Sequence, residues 1–133
     1  MMIKATAGLL VAAVLAGCGS GPTGQMIKLA HDVQASADRM VDAMNDRELA
    51  SLQILNEHAD RVTGVVEQVN AWRPGSDADG RRLLSNALAA HRRAAAAAYA
   101  CWEFDTGVEC DELGGAAADA ARLTGRAVKA LSG

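Results

Sequence analysis

Apolar residues recur along this chain at alternating steps of three and four, the spacing that lines one face of a helix. Met26, Ala30, Val33, Ala37, Met40 and Met44 make the first stripe, with Asp32, Asp38, Arg39 and Asp42 on the other side. Leu52, Leu55, Ala59, Val62, Val66 and Val69 make a second, and Leu84, Leu88, His91, Ala95, Ala98 and Trp102 a third. A thinner fourth runs through Leu113, Ala117, Ala120, Leu123, Ala127 and Leu131. Sustained period-two alternation is missing and β-branched residues are sparse, so the pattern predicts an all-α fold. Each stripe must bury its apolar face against the others, which gives a small up-and-down helical bundle.

Local signals place the boundaries. Thr23 is positioned to cap the first helix, Trp72-Arg73-Pro74-Gly75 is a stop, and Ser76 with Asp79 three residues on can start the next helix. The junction at Asn45 is ambiguous. Asn45 and Glu48 resemble a capping box, and Met44 with Leu49 has hydrophobic-staple spacing. These favour a break and four helices near 24–44, 46–72, 77–102 and 111–131. Against a break, the apolar phase runs on through 44, 48/49, 52 and 55 with no Gly or Pro between. The alternative is three helices with a long, kinked first one. A straight helix over 24–72 would reach about 73 Å, more than two shorter helices could cover, so a break or sharp kink is expected.

The N-terminal segment is different in kind. Lys4 supplies one positive charge, Ala5 to Ala16 are uncharged and mostly apolar, and Leu15-Ala16-Gly17-Cys18 follows. The apolar run of about 12 residues is too short to span a bilayer, which takes about 20. The Leu-Ala-Gly-Cys order resembles the lipobox of bacterial lipoproteins. That resemblance implies a signal peptide over 1–17, cleavage before Cys18 and acylation of Cys18 by palmitate-like chains. It also implies anchoring in membrane lipid, at the outer face of the cell membrane or on a periplasm-facing one. Two chains hold stably, at about 0.8 kcal/mol per buried methylene. Residues 18–24 then read as lipidated cysteine and flexible tether, and 25–133 as the helical domain. The six residues Gly19 to Gly24 reach at most about 20 Å, which would keep the domain near the headgroups.

Composition adds exclusions. The net charge is -3, and one unit more acidic without Lys4, with no basic surface expected for nucleic acid. The excess of Ala, Gly, Arg and Asp over Lys and Asn points to a GC-rich, actinobacterial kind of genome. In an oxidising compartment Cys101 and Cys110, the two cysteines beyond Cys18, are expected to form a disulfide across the third turn. The loop-entropy relation values that closure at roughly 2.7 kcal/mol. A reactive or metal-binding thiol pair is the rival reading. It lacks CxxC spacing, and no histidine lies in the loop.

Charge is segregated along the chain. Glu103, Asp105, Glu109, Asp111 and Glu112 surround Trp102 and Phe104, whereas Arg73, Arg81, Arg82, Arg92 and Arg93 precede them. Trp102, Phe104, Arg81, Arg82, Arg92 and Arg93 are therefore the candidate binding surface, with aromatic anchors on a stapled loop. The competing expectation, preferred on simplicity, is that Trp102 and Phe104 cap the core. Calcium is disfavoured because the loop lacks EF-hand order. Gly64, Gly114, Gly115 and Gly125 suggest close helix contacts, and Ala94 to Ala98 either a tight crossing or plain helix propensity.

The search for catalysis is negative. HExxH, GxSxG and the P-loop are missing, and no histidine has Glu three residues before it. Glu57, His58 and Asp60 read as surface residues, because neighbours on a helix diverge by about 100°. His91 lies in an apolar stripe and reads as a hydrogen-bonded, partly buried histidine. No catalytic residue, metal site or cofactor is expected. The leading expectation is a non-enzymatic envelope lipoprotein that binds another envelope protein. The alternative is a carrier or sensor enclosing lipid, haem or metal, with Met26, Met40, Met44, Leu52, Ile54 and Leu55 as cavity lining. An exclusion or immunity lipoprotein of phage or plasmid type ranks lower.

Overall fold

Each apolar stripe forms a helix. In the computed structural model, which describes residues 21–46, 49–73, 75–104 and 107–133, α1 is Gly21–Asp46, α2 Leu49–Ala71, α3 Ala78–Phe104 and α4 Gly107–Ser132. No strand occurs among the described residues. The Leu15-Ala16-Gly17-Cys18 motif and the first tether residues lie outside them.

The ambiguous junction resolves into two helices. Ser51 Oγ donates to the Ala43 carbonyl at 2.6 Å, and Ser36 Oγ meets His58 Nδ1 at 2.7 Å. In a continuous helix residues 36 and 58 would stand about 33 Å apart, so the chain reverses between α1 and α2. The suggested role of Glu48 lies outside the described residues.

The other boundaries shift. α1 starts at Gly21, whose φ of 52° is a left-handed conformation that glycine adopts without a Cβ penalty. Residues 21–24 are thus helical and not tether. Thr23 does not cap α1. It lies inside the helix, and its hydroxyl donates to the Asp77 carboxylate. The Asp77 carbonyl accepts the Arg81 N–H at 2.9 Å, so Asp77 and not Ser76 opens α3. Arg81 also reaches back to the end of α2: its Nε donates to the Val69 carbonyl at 3.2 Å and its Nη2 to the Asn70 carbonyl at 3.3 Å. Those acceptors are among the last-turn carbonyls that lack an i+4 partner in the helix, and the Val69 carbonyl also accepts the Trp72 N–H at 3.1 Å.

The core has two apolar compartments. One joins Met26, Ala30, Val33, Val62, Val65, Val69, Leu84, Leu88, Ala127 and Leu131. The other joins Met40, Met44, Leu55, Ala94, Ala95, Ala98, Cys101 and Leu113. Burial of each Val, Leu or Met side chain contributes about 1.5–3 kcal/mol against the entropy of ordering the helices. The α3–α4 pairing is the most extensive of the helix contacts.

Close approach occurs at Gly80 and not at the glycines expected to make it. A Cβ on buried Gly80 would stand 2.5 Å from Leu131 Cδ2 and 3.6 Å from its Cα, where α4 ends against the first turn of α3. Gly64, Gly114, Gly115 and Gly125 have nothing within 4 Å of a Cβ position, so the contacts expected of them are not made.

Candidate functional site

Between the two apolar compartments lies a layer of polar side chains, one from each helix: Ser36 on α1, His58 on α2, His91 on α3 and Thr124 on α4. His58 and His91 are each 1% exposed and Thr124 4%. His58 Nδ1 pairs with Ser36 Oγ at 2.7 Å, and His91 Nε2 with Thr124 Oγ1 at 2.8 Å. The imidazoles meet edge to face, with centroids 5.9 Å apart and planes at 73°.

The hydroxyls fix part of the proton arrangement. Thr124 Oγ1 donates its one hydrogen to the Ala120 carbonyl at 2.7 Å, so toward His91 it can only accept. His91 therefore carries its proton on Nε2, and Nδ1 holds a lone pair. That Nδ1 is buried without a hydrogen-bond partner, and so is His58 Nε2. Ser36 can donate to His58 Nδ1, which leaves His58 Nε2 as a donor and His91 Nδ1 as an acceptor.

Burial keeps both rings neutral. The pKa of His58 is lowered to about 4 by desolvation and then by the nearby Arg61 charge. That of His91 is lowered to about 4 by desolvation and by His58, with Asp38 pulling the other way. An ionised ring in such a place would lose its water, and the exposed Asp38 compensates only part of that cost for His91.

His58 was expected at the surface beside Glu57 and Asp60, and its burial corrects that expectation. Glu57 and Asp60 are exposed. The phase signal was present: His58 sits three residues after Leu55 and four before Val62, and Thr124 four after Ala120 and three before Ala127. Ala59 and Leu123, which the apolar reading preferred, are both half-buried. His91 falls where its stripe placed it, and is fully rather than partly buried.

The candidate binding residues are spread along α3 and differ in what they touch. Arg81 is engaged by the α2 carbonyls, Arg82 faces Asp79 at 3.8 Å, and Arg93 reaches Asp119 on α4 at 3.9 Å. Arg92 lines an open groove of about 210 Å³ with Val66, Val69 and Leu88. Trp102 and Phe104 lie about 30 Å from Arg81 and Arg82 along α3. Trp102 is half-buried and packs on the second compartment. Phe104 does not cap the core: it is 60% exposed at the end of α3. Tyr99 is 37% exposed, and its hydroxyl donates to Asn56 Oδ1 on α2.

Cys101 and Cys110 have their sulfurs 1.95 Å apart and their Cα atoms 4.6 Å apart, a disulfide distance. Both stand within helices, since α3 runs to Phe104 and α4 begins at Gly107, so the long acidic loop expected between 102 and 111 is largely helical. Asp105 and the side chain of Glu109 lie outside the described residues. Among the described residues no group of three or more His, Cys, Asp or Glu converges as a metal site. Likewise no described helix is long and apolar enough to cross a membrane.

Comparison of the chain with protein-family models, with curated proteins and with solved structures returns no match.

Proposed function

We propose that this chain is a lipid-anchored envelope lipoprotein whose helical bundle is a non-enzymatic interaction module for another envelope protein. The Leu15-Ala16-Gly17-Cys18 motif supports the anchor, through acyl chains at Cys18 in the outer face of the cell membrane or in a periplasm-facing one. With residues 21–24 inside α1, at most Gly19 and Ser20 stand between Cys18 and the helix. The bundle then acts within a few nanometres of the lipid surface.

The observation that carries the interaction reading is Phe104. A large aromatic held 60% exposed at a helix end, beside the disulfide-linked ends of α3 and α4, is the kind of anchor that protein interfaces bury. Nothing in the polar layer supplies a nucleophile with access to a substrate, because both histidines are buried and neutral.

The carrier reading finds less support. The buried methionines Met26, Met40 and Met44 pack into the apolar compartments. The grooves of about 210 and 510 Å³ flanking α2 open to solvent and are lined in part by Arg92, Glu57, Asp60 and Arg61.

In-cell crosslinking of the native lipoprotein with mass spectrometry tests the proposal, with Cys18→Ala as control. Recovery of one envelope protein that depends on Cys18 supports it. A Cys18→Ala chain that stays membrane-bound overturns the anchor, and recovery of no specific protein overturns the interaction role.

A further inference from the structure

The polar layer has a feature that packing alone does not require. Each histidine bonds a hydroxyl on the neighbouring helix of its own hairpin: His58 to Ser36 within α1–α2, and His91 to Thr124 within α3–α4. The two hairpins meet at the imidazole pair, and there no hydrogen bond crosses. His58 Nε2 and His91 Nδ1 are both buried and unpartnered. At the imidazole pair, polar satisfaction runs within each hairpin and not between them. Bonds that do cross the seam, among them Tyr99 to Asn56 and Arg81 to the Val69 and Asn70 carbonyls, lie away from it.

We propose that the His58–His91 contact is an acid-sensitive latch between the α1–α2 and α3–α4 hairpins, shut while both rings are neutral and parted when both are protonated.

The chemistry follows from the layer's composition. The first proton has a place: it goes to His58 Nδ1, with Ser36 turning from donor to acceptor so that His58 keeps its outer bond. The second does not. It leaves two imidazolium rings with centroids 5.9 Å apart in a desolvated seam. What each helix presents to the pair offers little relief. α1 brings Ser36 and the exposed Asp38, the one carboxylate that favours charge on His91. α2 brings Arg61, which adds like charge to His58. α3 contributes His91 itself, and α4 the uncharged Thr124. The pair titrates as a unit, and burial places its protonation well below the ordinary histidine range, to about 4 for each ring.

The outer bonds survive protonation, since an imidazolium N–H still donates to Ser36 or Thr124. The Cys101–Cys110 link and the extensive α3–α4 contact hold that hairpin together. Separation therefore falls on the seam, where it also parts the Tyr99–Asn56 bond and uncovers the apolar faces of both hairpins.

The test uses the full-length lipoprotein in detergent micelles, with spin labels at two pairs of exposed sites. Gln53 and Ala96 report across the seam, and Ala96 and Ala118 report within the α3–α4 hairpin. Between pH 6.5 and 3 the Gln53–Ala96 distance is expected to lengthen and broaden, chiefly below pH 4, while the Ala96–Ala118 distance stays constant. In the H58Q/H91Q double variant neither should move over that window. H91Q alone, which removes the second proton, serves the same purpose if the double variant does not fold. A wild-type seam that stays shut at pH 3 overturns the latch. So does a glutamine variant that opens at the wild-type pH, which would assign the effect to carboxylates. Simultaneous loss of both distances means global unfolding and overturns it as well.

Discussion

His91 Nε2 donates to Thr124 Oγ1 across 2.8 Å, and Thr124 passes its own hydrogen to the Ala120 carbonyl one turn back. Two residues 33 positions apart in sequence thus share one buried polar chain between α3 and α4. Thr124→Val keeps the shape and removes the acceptor, which strands the His91 N–H in the core. A loss of about 1–3 kcal/mol in chemical denaturation is expected. Thr124→Ser, which keeps the hydroxyl, should lose under half of that. Equal losses for the two variants would show that the methyl packing, and not the hydrogen bond, matters here.

The pH dependence of global stability follows from the same layer. The histidine pKa values are lower in the folded chain, about 4, than the 6.5 of the unfolded one. Between those values the unfolded chain binds more protons, so stability falls as pH drops. The contribution is complete above pH 6.5, declines between 6.5 and about 4, and changes no further below that. Each histidine contributes at most about 3 kcal/mol to the fall. Urea titrations across the window check this, with H58Q/H91Q expected to flatten the curve there.

Glycine substitutions separate spacing from propensity. Gly114 and Gly125 are exposed on α4 and have room for a Cβ, so alanine at either should stabilise by about 0.5–1 kcal/mol. Gly80→Ala forces Leu131 to move and should destabilise in spite of better helix propensity. Melting temperatures of the three variants give the signs directly.

These cases show how much of the molecule was legible in its sequence. The four stripes could be read because an amphipathic helix writes its buried face at a fixed period, and the break near Asn45 because cap signals and helix length outweighed a period that runs on. The polar layer was harder. His58 and Thr124 occupy in-phase positions, but polar residues there look like gaps in a stripe, and neighbouring Ala59 and Leu123 fill the gaps plausibly. Only the partner across the core, Ser36 or His91, turns such a gap into a satisfied position. Gly80 was illegible for a similar reason: the approach of Leu131 belongs to the far end of the chain. Arg81 read as surface charge because its acceptors are backbone carbonyls, which no side-chain pattern reveals.

Reduction of the Cys101–Cys110 link should lower stability by roughly 2–3 kcal/mol, since it frees a short loop in the unfolded chain. The measurement is denaturation with and without reductant, with Cys101→Ser/Cys110→Ser as the reductant-insensitive reference. The four-helix fold should persist by circular dichroism, because both core compartments remain.

The interaction role is tested most directly by photocrosslinking in living cells from a probe placed at residue 104. A matched probe at Asn86, an exposed position elsewhere on α3, is the comparison. The account predicts one envelope protein captured from 104 and not from 86, with capture lost in Cys18→Ala. Identical products from both positions, or none from 104, would contradict it.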